Sequence, residues 1–218
     1  MNYDVLMSRI YTFGDRIKSL NGEVYEIIKK QPASDKQIKD IEEQLHVCLP
    51  GSFKKVLLDF SARFRFRWFL PDEIALPEKF RGIFSGDMHW DLSKLVELEQ
   101  DRLEWIRVVF PDPHDPYDAV WHDKLSFYDV GNGDFLAFDL SQGEDPPIVY
   151  LSHDGCTSHG CILANNFIDL LDRWSQLGFV GGEDWQWMPF TSDAKSGILP
   201  NSTQGIEFRK FLNLKQQN

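Results

Sequence analysis

The stretch YLSHDGCTSHGC, residues 150–161, gathers six side chains that can do chemistry: Ser152, His153, Asp154, Cys156, His159 and Cys161. Two chemistries use such residues. A nucleophilic triad needs serine and acid on opposite sides of one imidazole, each within hydrogen-bond reach. Residues adjacent along an extended chain point to opposite faces, so Ser152, His153 and Asp154 are not expected to converge. Histidine and cysteine also hold zinc. Structural zinc sites usually draw ligand pairs from segments about a dozen residues apart, whereas His153, Cys156, His159 and Cys161 fall within nine positions. These four are expected to diverge, with no metal or other cofactor held; a metal-dependent enzyme is the reading their convergence would revive.

Two further groups invite a chemical reading. In RFRFRWFL, residues 63–70, arginines alternate with aromatics. Stacking plus charge suits single-stranded nucleic acid, but the same alternation describes a half-buried strand with Phe64, Phe66 and Trp68 on the core and Arg63, Arg65 and Arg67 in water. A formal net charge of −11 repels nucleic acid, so the strand is preferred, its arginines free to pair with some of the acids between Pro111 and Gly155. Asp129, Asp134 and Asp139 lie along one hairpin and would suit acid–base work only if one were buried. No phosphate-binding glycine loop, nucleophile elbow or HExxH is present, and no enzyme is expected.

The elements that must carry these residues follow from hydrophobic spacing. Leu6, Ile10, Phe13, Ile17 and Leu20 share one helical stripe over residues 3–20. SDKQ, residues 34–37, has the form of a capping box and opens a helix with Ile38, Ile41 and Leu45 on one face. Leu49-Pro50 separates it from a helix with Phe53, Val56, Leu57 and Phe60. The spacing predicts a helix over 91–104 and a strand at WIRVVF, 105–110. Strands at 125–130 and 134–140 flank Gly131-Asn132-Gly133, whose residues tolerate the positive φ of a tight turn. The second is apolar on both faces, as a central strand should be. Strand 148–151, a helix over 165–177 and a short helix near 205–213 complete an α+β order with a largely antiparallel sheet.

The 218 residues, 42% hydrophobic, are enough for one domain with its own core. No segment spells a secretory leader and the cysteines are three, which predicts reduced thiols in a cytoplasmic protein. Charge is unevenly placed. Between Pro111 and Gly155 ten acids face the single cation Lys124, a local charge of −9. Such a field attracts basic partners.

Taken in order, the capped helix with Ile38, Ile41 and Leu45, Leu49-Pro50, the Phe53…Leu57…Phe60 helix, Gly133-Asp134-Phe135-Leu136-Ala137-Phe138-Asp139, Ile148-Val149-Tyr150, His153-Asp154 and the Phe167–Trp174 helix resemble the SUKH superfamily. That superfamily includes the Smi/Knr regulators of fungal cell-wall glucan synthesis and many bacterial toxin-immunity proteins. The resemblance runs from Ser34 to Gly178. Phe53 stands where the family often has tyrosine, and Ser61-Ala62-Arg63 replaces a glycine-rich turn, so the start of the first strand is left open.

The resemblance implies a single α+β domain over 31–180, a mostly antiparallel twisted sheet flanked by helices, with an N-terminal helical extension over 1–30 and a C-terminal extension over 181–218. It implies a non-enzymatic bacterial immunity protein that binds a toxin domain, many such toxins being basic nucleases. It transfers no catalytic residues. Charge alone marks Asp112, Asp115, Asp118, Asp123, Asp129, Asp134, Asp139, Glu144 and Asp145 as partner contacts. A regulatory or scaffold module of the Smi/Knr type is the alternative.

Overall fold

A computed structural model of the chain describes residues 1–214. Helix α1 (Tyr3–Ser19) turns Leu6, Ile10, Phe13 and Ile17 inward, the stripe its spacing requires. Two short strands follow, β1 (Glu23–Val24) and β2 (Ile28–Lys29). Helix α2 (Asp35–Leu45) starts at the expected capping box: Gln37 N–H donates to Ser34 Oγ at 3.3 Å and Ser34 N–H to Gln37 Oε1 at 2.9 Å. Such a box satisfies donors that a helix start otherwise leaves unpaired. Helix α3 (Gly51–Asp59) follows Pro50.

Strand β3 (Arg63–Phe69) alternates as its period of two demands: Phe64, Phe66 and Trp68 are buried, and the arginines are half-exposed. It begins directly at Arg63. In place of a glycine turn, buried Ser61 sets its hydroxyl 2.9 Å from the Lys30 carbonyl and 2.6 Å from that of Arg63. Strand β4 (Ser85–Asp91) pairs antiparallel along all of β3. Its Asp87 and Asp91, not the 111–145 stretch, are the partners of the β3 arginines: Arg65 reaches Asp87 at 2.6 Å and Arg63 reaches Asp91 at 3.2 Å. Burial raises the Asp87 carboxyl, yet hydrogen bonds from His89 and Arg65 overcome that and hold it below the ordinary aspartate value.

Helix α4 (Leu95–Val108) runs past its expected end, so WIRVVF is the end of a helix and not a strand. The expectation failed because α4 turns Glu99 and Arg102 inward, which interrupts the apolar stripe. The two form a buried ion pair at 2.5 Å, and Glu99 also accepts the Ser126 amide at 3.0 Å.

Strands β5 (Lys124–Asp129), β6 (Phe135–Asp139), β7 (Ile148–Leu151) and β8 (Ile162–Ala164) pair in that order, all antiparallel. The hydrogen bonds thus form two four-stranded sheets, β1, β2 and β4 around β3, and β5 to β8. They meet where Tyr128 stacks on His89, ring centroids 4.1 Å apart, and its hydroxyl donates to the Asp87 carbonyl. Strand β6 is buried on both faces. Leu136 and Phe138 join the main core, while Phe135 and Ala137 join a smaller one with Phe110, Trp121, Val149 and Leu151 beneath α4. Helices α5 (Phe167–Ser175), α6 (Asp184–Trp187) and α7 (Thr203–Phe211) close the structure. The main core includes Leu6 and Ile10 at one end of the chain and Phe208 and Leu212 at the other.

Candidate protein-binding surface

The end of β7 separates the side chains of the 150–161 stretch. Ser152 Oγ donates to Asp154 Oδ1 at 2.6 Å, the two lying on one face, while His153 between them turns the other way, its Nδ1 2.7 Å from Asp134 Oδ1. No imidazole stands between serine and acid, so no triad forms. Cys156 Sγ sits 2.6 Å from Ser158 Oγ, and Cys161 Sγ lies toward the Thr157 carbonyl at 3.8 Å. His159 packs flat on Tyr117, ring centroids 3.9 Å apart. Among the described residues no three His, Cys, Asp or Glu side chains are grouped to hold a metal ion. The three cysteines are unpaired.

His159 is locked in one tautomer. The Ser152 amide donates to Nδ1 at 3.0 Å, which must therefore be bare, and Nε2 lies 3.0 Å from the Tyr117 carbonyl, to which it must donate. Burial holds the imidazole below its ordinary pKa, more strongly than the Tyr117 carbonyl and nearby acids raise it. The unfolded chain takes up this proton more readily than the folded one, so the contribution of His159 is complete above about pH 6.5 and falls as pH drops below it. Urea unfolding from about pH 7.5 to about pH 5.5 should show stability declining with acid. His159→Phe should be less stable throughout and show a shallower decline; an unchanged slope would contradict the assignment.

Asp134 is the centre of this region. Its buried carboxylate accepts from the Tyr150 hydroxyl at 2.5 Å, the His153 amide at 2.9 Å, His153 Nδ1 at 2.7 Å and Asn132 Nδ2 at 3.0 Å. Burial first, then Asp134, pushes the Tyr150 hydroxyl far above the ordinary phenol value, so it remains a donor. Asp134 therefore drops out of the expected contact residues: it faces inward at 3% exposure.

The other expected contacts divide into two groups. Asp129 stands at the turn end of the β5–β6 hairpin, opposite Phe135, whereas Asp139 stands at the far end opposite Lys124, with which it pairs at 2.9 Å. The three hairpin aspartates accordingly do not cluster. Asp123 adjoins that far end, and Asp145 accepts the Ser52 amide at 2.8 Å at the start of α3, next to Glu144. Asp112, Asp115 and Asp118 shape the loop after α4, accepting the amides of His114, Tyr117 and Asp112 respectively. Tyr117 ties that loop to the end of β7 through the Ser152 carbonyl at 2.6 Å. A stretch continuous in sequence is thus split in space, with Asp112, Asp115, Asp118 and Asp129 toward the hairpin turn. Asp112, Asp115 and Asp129 there are exposed.

That end of the molecule also holds side chains not anticipated from the sequence. A groove of about 550 Å³ runs between the last turns of α4 and the hairpin turn, lined by Asp101, Glu104, Trp105, Val108, Val109 and Asp129. Asp101, Glu104, Trp105 and Val108 are spaced by three, one and three, the signature of one helical face. Reading 105–110 as a strand hid it.

These features define an α+β domain with an acidic and apolar surface at one end and an internally satisfied polar network behind it. The profile of the SMI1/KNR4 family (SUKH-1) matches residues 32–173, and the chain belongs to this family. Its members generally bind or regulate and do not catalyse. A search of curated proteins found no match. No helix among the described residues is long and apolar enough to cross a membrane.

Proposed function

We propose that the chain is a cytoplasmic bacterial immunity protein, without catalytic activity or cofactor, that binds a basic, nuclease-type toxin domain and blocks it. The observation that carries this reading is the exposed carboxylate set at the hairpin-turn end, Asp112, Asp115 and Asp129, beside a groove that is itself acidic. Like charges kept together on a surface cost stability through mutual repulsion, and opposite charge on a partner relieves that cost while steering encounter. Asp123, Glu144 and Asp145 form a second exposed acidic group at the opposite end of the hairpin. A basic toxin domain too large for one end would reach both.

The test is co-expression with the toxin-type domain encoded by an adjacent reading frame. Protection of the host, with a complex that purifies intact, is the expected result. Asp112→Lys/Asp115→Lys should slow association at least about tenfold at low salt, and Asp112→Asn/Asp115→Asn, which keeps an acceptor for the loop amides of His114 and Tyr117, should slow it less. Protection that survives this double reversal would remove the acidic loop from the contact. A regulatory module would instead show several housekeeping partners and no protection.

A further inference from the structure

The groove beside α4 has a more specific chemistry than a diffuse negative surface. Val108 and Val109, which line it, are 59% and 45% exposed. Between them and the hairpin, Trp105 forms the floor. Its indole is held from behind by His153, ring centroids 5.2 Å apart, and by Phe110 and Trp121 at 6.1 and 6.2 Å. His153 is in turn fixed by Asp134. The hairpin can approach because Gly133 has no side chain: at φ +103° a Cβ would lie 3.2 Å from the indole.

Three carboxylates surround this floor. Asp101 has no ion-pair partner among the described residues, Asp129 gives one oxygen to the Gly131 amide at 2.8 Å, and Glu104 pairs with exposed Arg107. Among the described residues no cation lines the groove. Helix α4 also ends here, and the unpaired carbonyls of a helix C-terminus add partial negative charge.

Resting on the reading of the chain as a protein-binding module, we propose that this groove takes an arginine side chain from a basic protein partner. The guanidinium lies over Trp105 with Asp101 and Asp129 at its edges, and a neighbouring aliphatic residue covers Val108 and Val109. An aromatic face attracts a cation. Arginine fits better than lysine because its planar group stacks, is more weakly hydrated and offers paired donors to carboxylates.

The probe is a blocked tripeptide, acetyl-Val-Arg-Val-amide, titrated into the ¹⁵N-labelled full chain and followed by amide and indole resonances. The Trp105 indole and the Gly131 and Gly133 amides should shift saturably, with affinity about tenfold above that of the glutamine analogue. Asp101→Asn/Asp129→Asn should abolish the preference; both side chains are exposed, and asparagine at 129 still accepts the Gly131 amide. Equal shifts from the glutamine peptide, or shifts spread over all exposed acids, would overturn the proposal. A toxin domain bound equally well by the double variant and the native chain would remove the groove and leave the immunity reading standing. An arginine peptide that enters the groove of a chain binding no toxin domain would do the reverse.

Discussion

Asp134→Ala is expected to destabilise the fold by about 3–5 kcal/mol, since the Tyr150 hydroxyl and the His153 amide and ring lose their acceptor in or beside the core, while exposed Asn132 can turn to water. Tyr150 is fully buried, and its hydroxyl has no water to turn to once the carboxylate is gone. An unsatisfied buried donor costs about 1–3 kcal/mol, and more when its lost partner was charged. The His153 amide and ring lose the same acceptor, freeing the residue that backs Trp105. Tyr150→Phe removes one donor and leaves the acceptor three others, so about 1 kcal/mol is expected. Asp134→Asn should fall between, because an amide can accept from some of these donors but presents its own NH₂ to the rest. Urea denaturation of the three variants gives the order directly. A cost for Asp134→Ala no larger than for Tyr150→Phe would show that the network does not hold the hairpin to β7.

The second large effect is expected at Arg102. Its guanidinium is 4% exposed, bonds both Glu99 oxygens and donates to the Trp121 carbonyl. Removing one member of a buried ion pair strands the other charge, at a cost of about 3–5 kcal/mol. In Arg102→Ala the stranded group is the Glu99 carboxylate, left with only the amide and hydroxyl of Ser126. The same physics makes the double variant Glu99→Leu/Arg102→Met less costly than Arg102→Ala alone, since it removes both charges and fills the space. Melting of the single and double variants tests this. A double variant as unstable as the two singles added together would show that the pair is two independent contacts.

These two networks also mark where the sequence could be read and where it could not. The stripes of α1, α2, α3 and α5 and the alternation of β3 are legible because apolar groups dominate the buried face there and no charged group interrupts it. Strand β6, apolar on both sides, was legible as central for the same reason. Helix α4 was cut short because Glu99 and Arg102 occupy its inner face, and periodicity cannot distinguish a buried ion pair from a solvated one. Spacing predicts no strand over β4: SGDMHWD turns Gly86, Met88 and Trp90 inward, but one inward position is a glycine and the other face is all polar. With β4 missed, the partners of the β3 arginines were missed too. Asp134 carries the same turn-forming signal as Asp129, and only the fold shows one facing inward and the other water. The acids were legible as a charge surplus, but their division between the two ends of the hairpin depends on strand pairing that charge counting ignores.

The measurement that bears most directly on the proposed immunity role is the affinity of the chain for a toxin-type domain sought in an adjacent reading frame, taken at about 50 and about 300 mM salt. Binding through the exposed carboxylates predicts a complex that forms at both, at least about tenfold more weakly at the higher salt because screening weakens exposed charge pairs. It also predicts that Asp112→Lys/Asp115→Lys removes most of that salt dependence. Absence of a complex at low salt, or an affinity indifferent to both salt and charge reversal, would contradict the account.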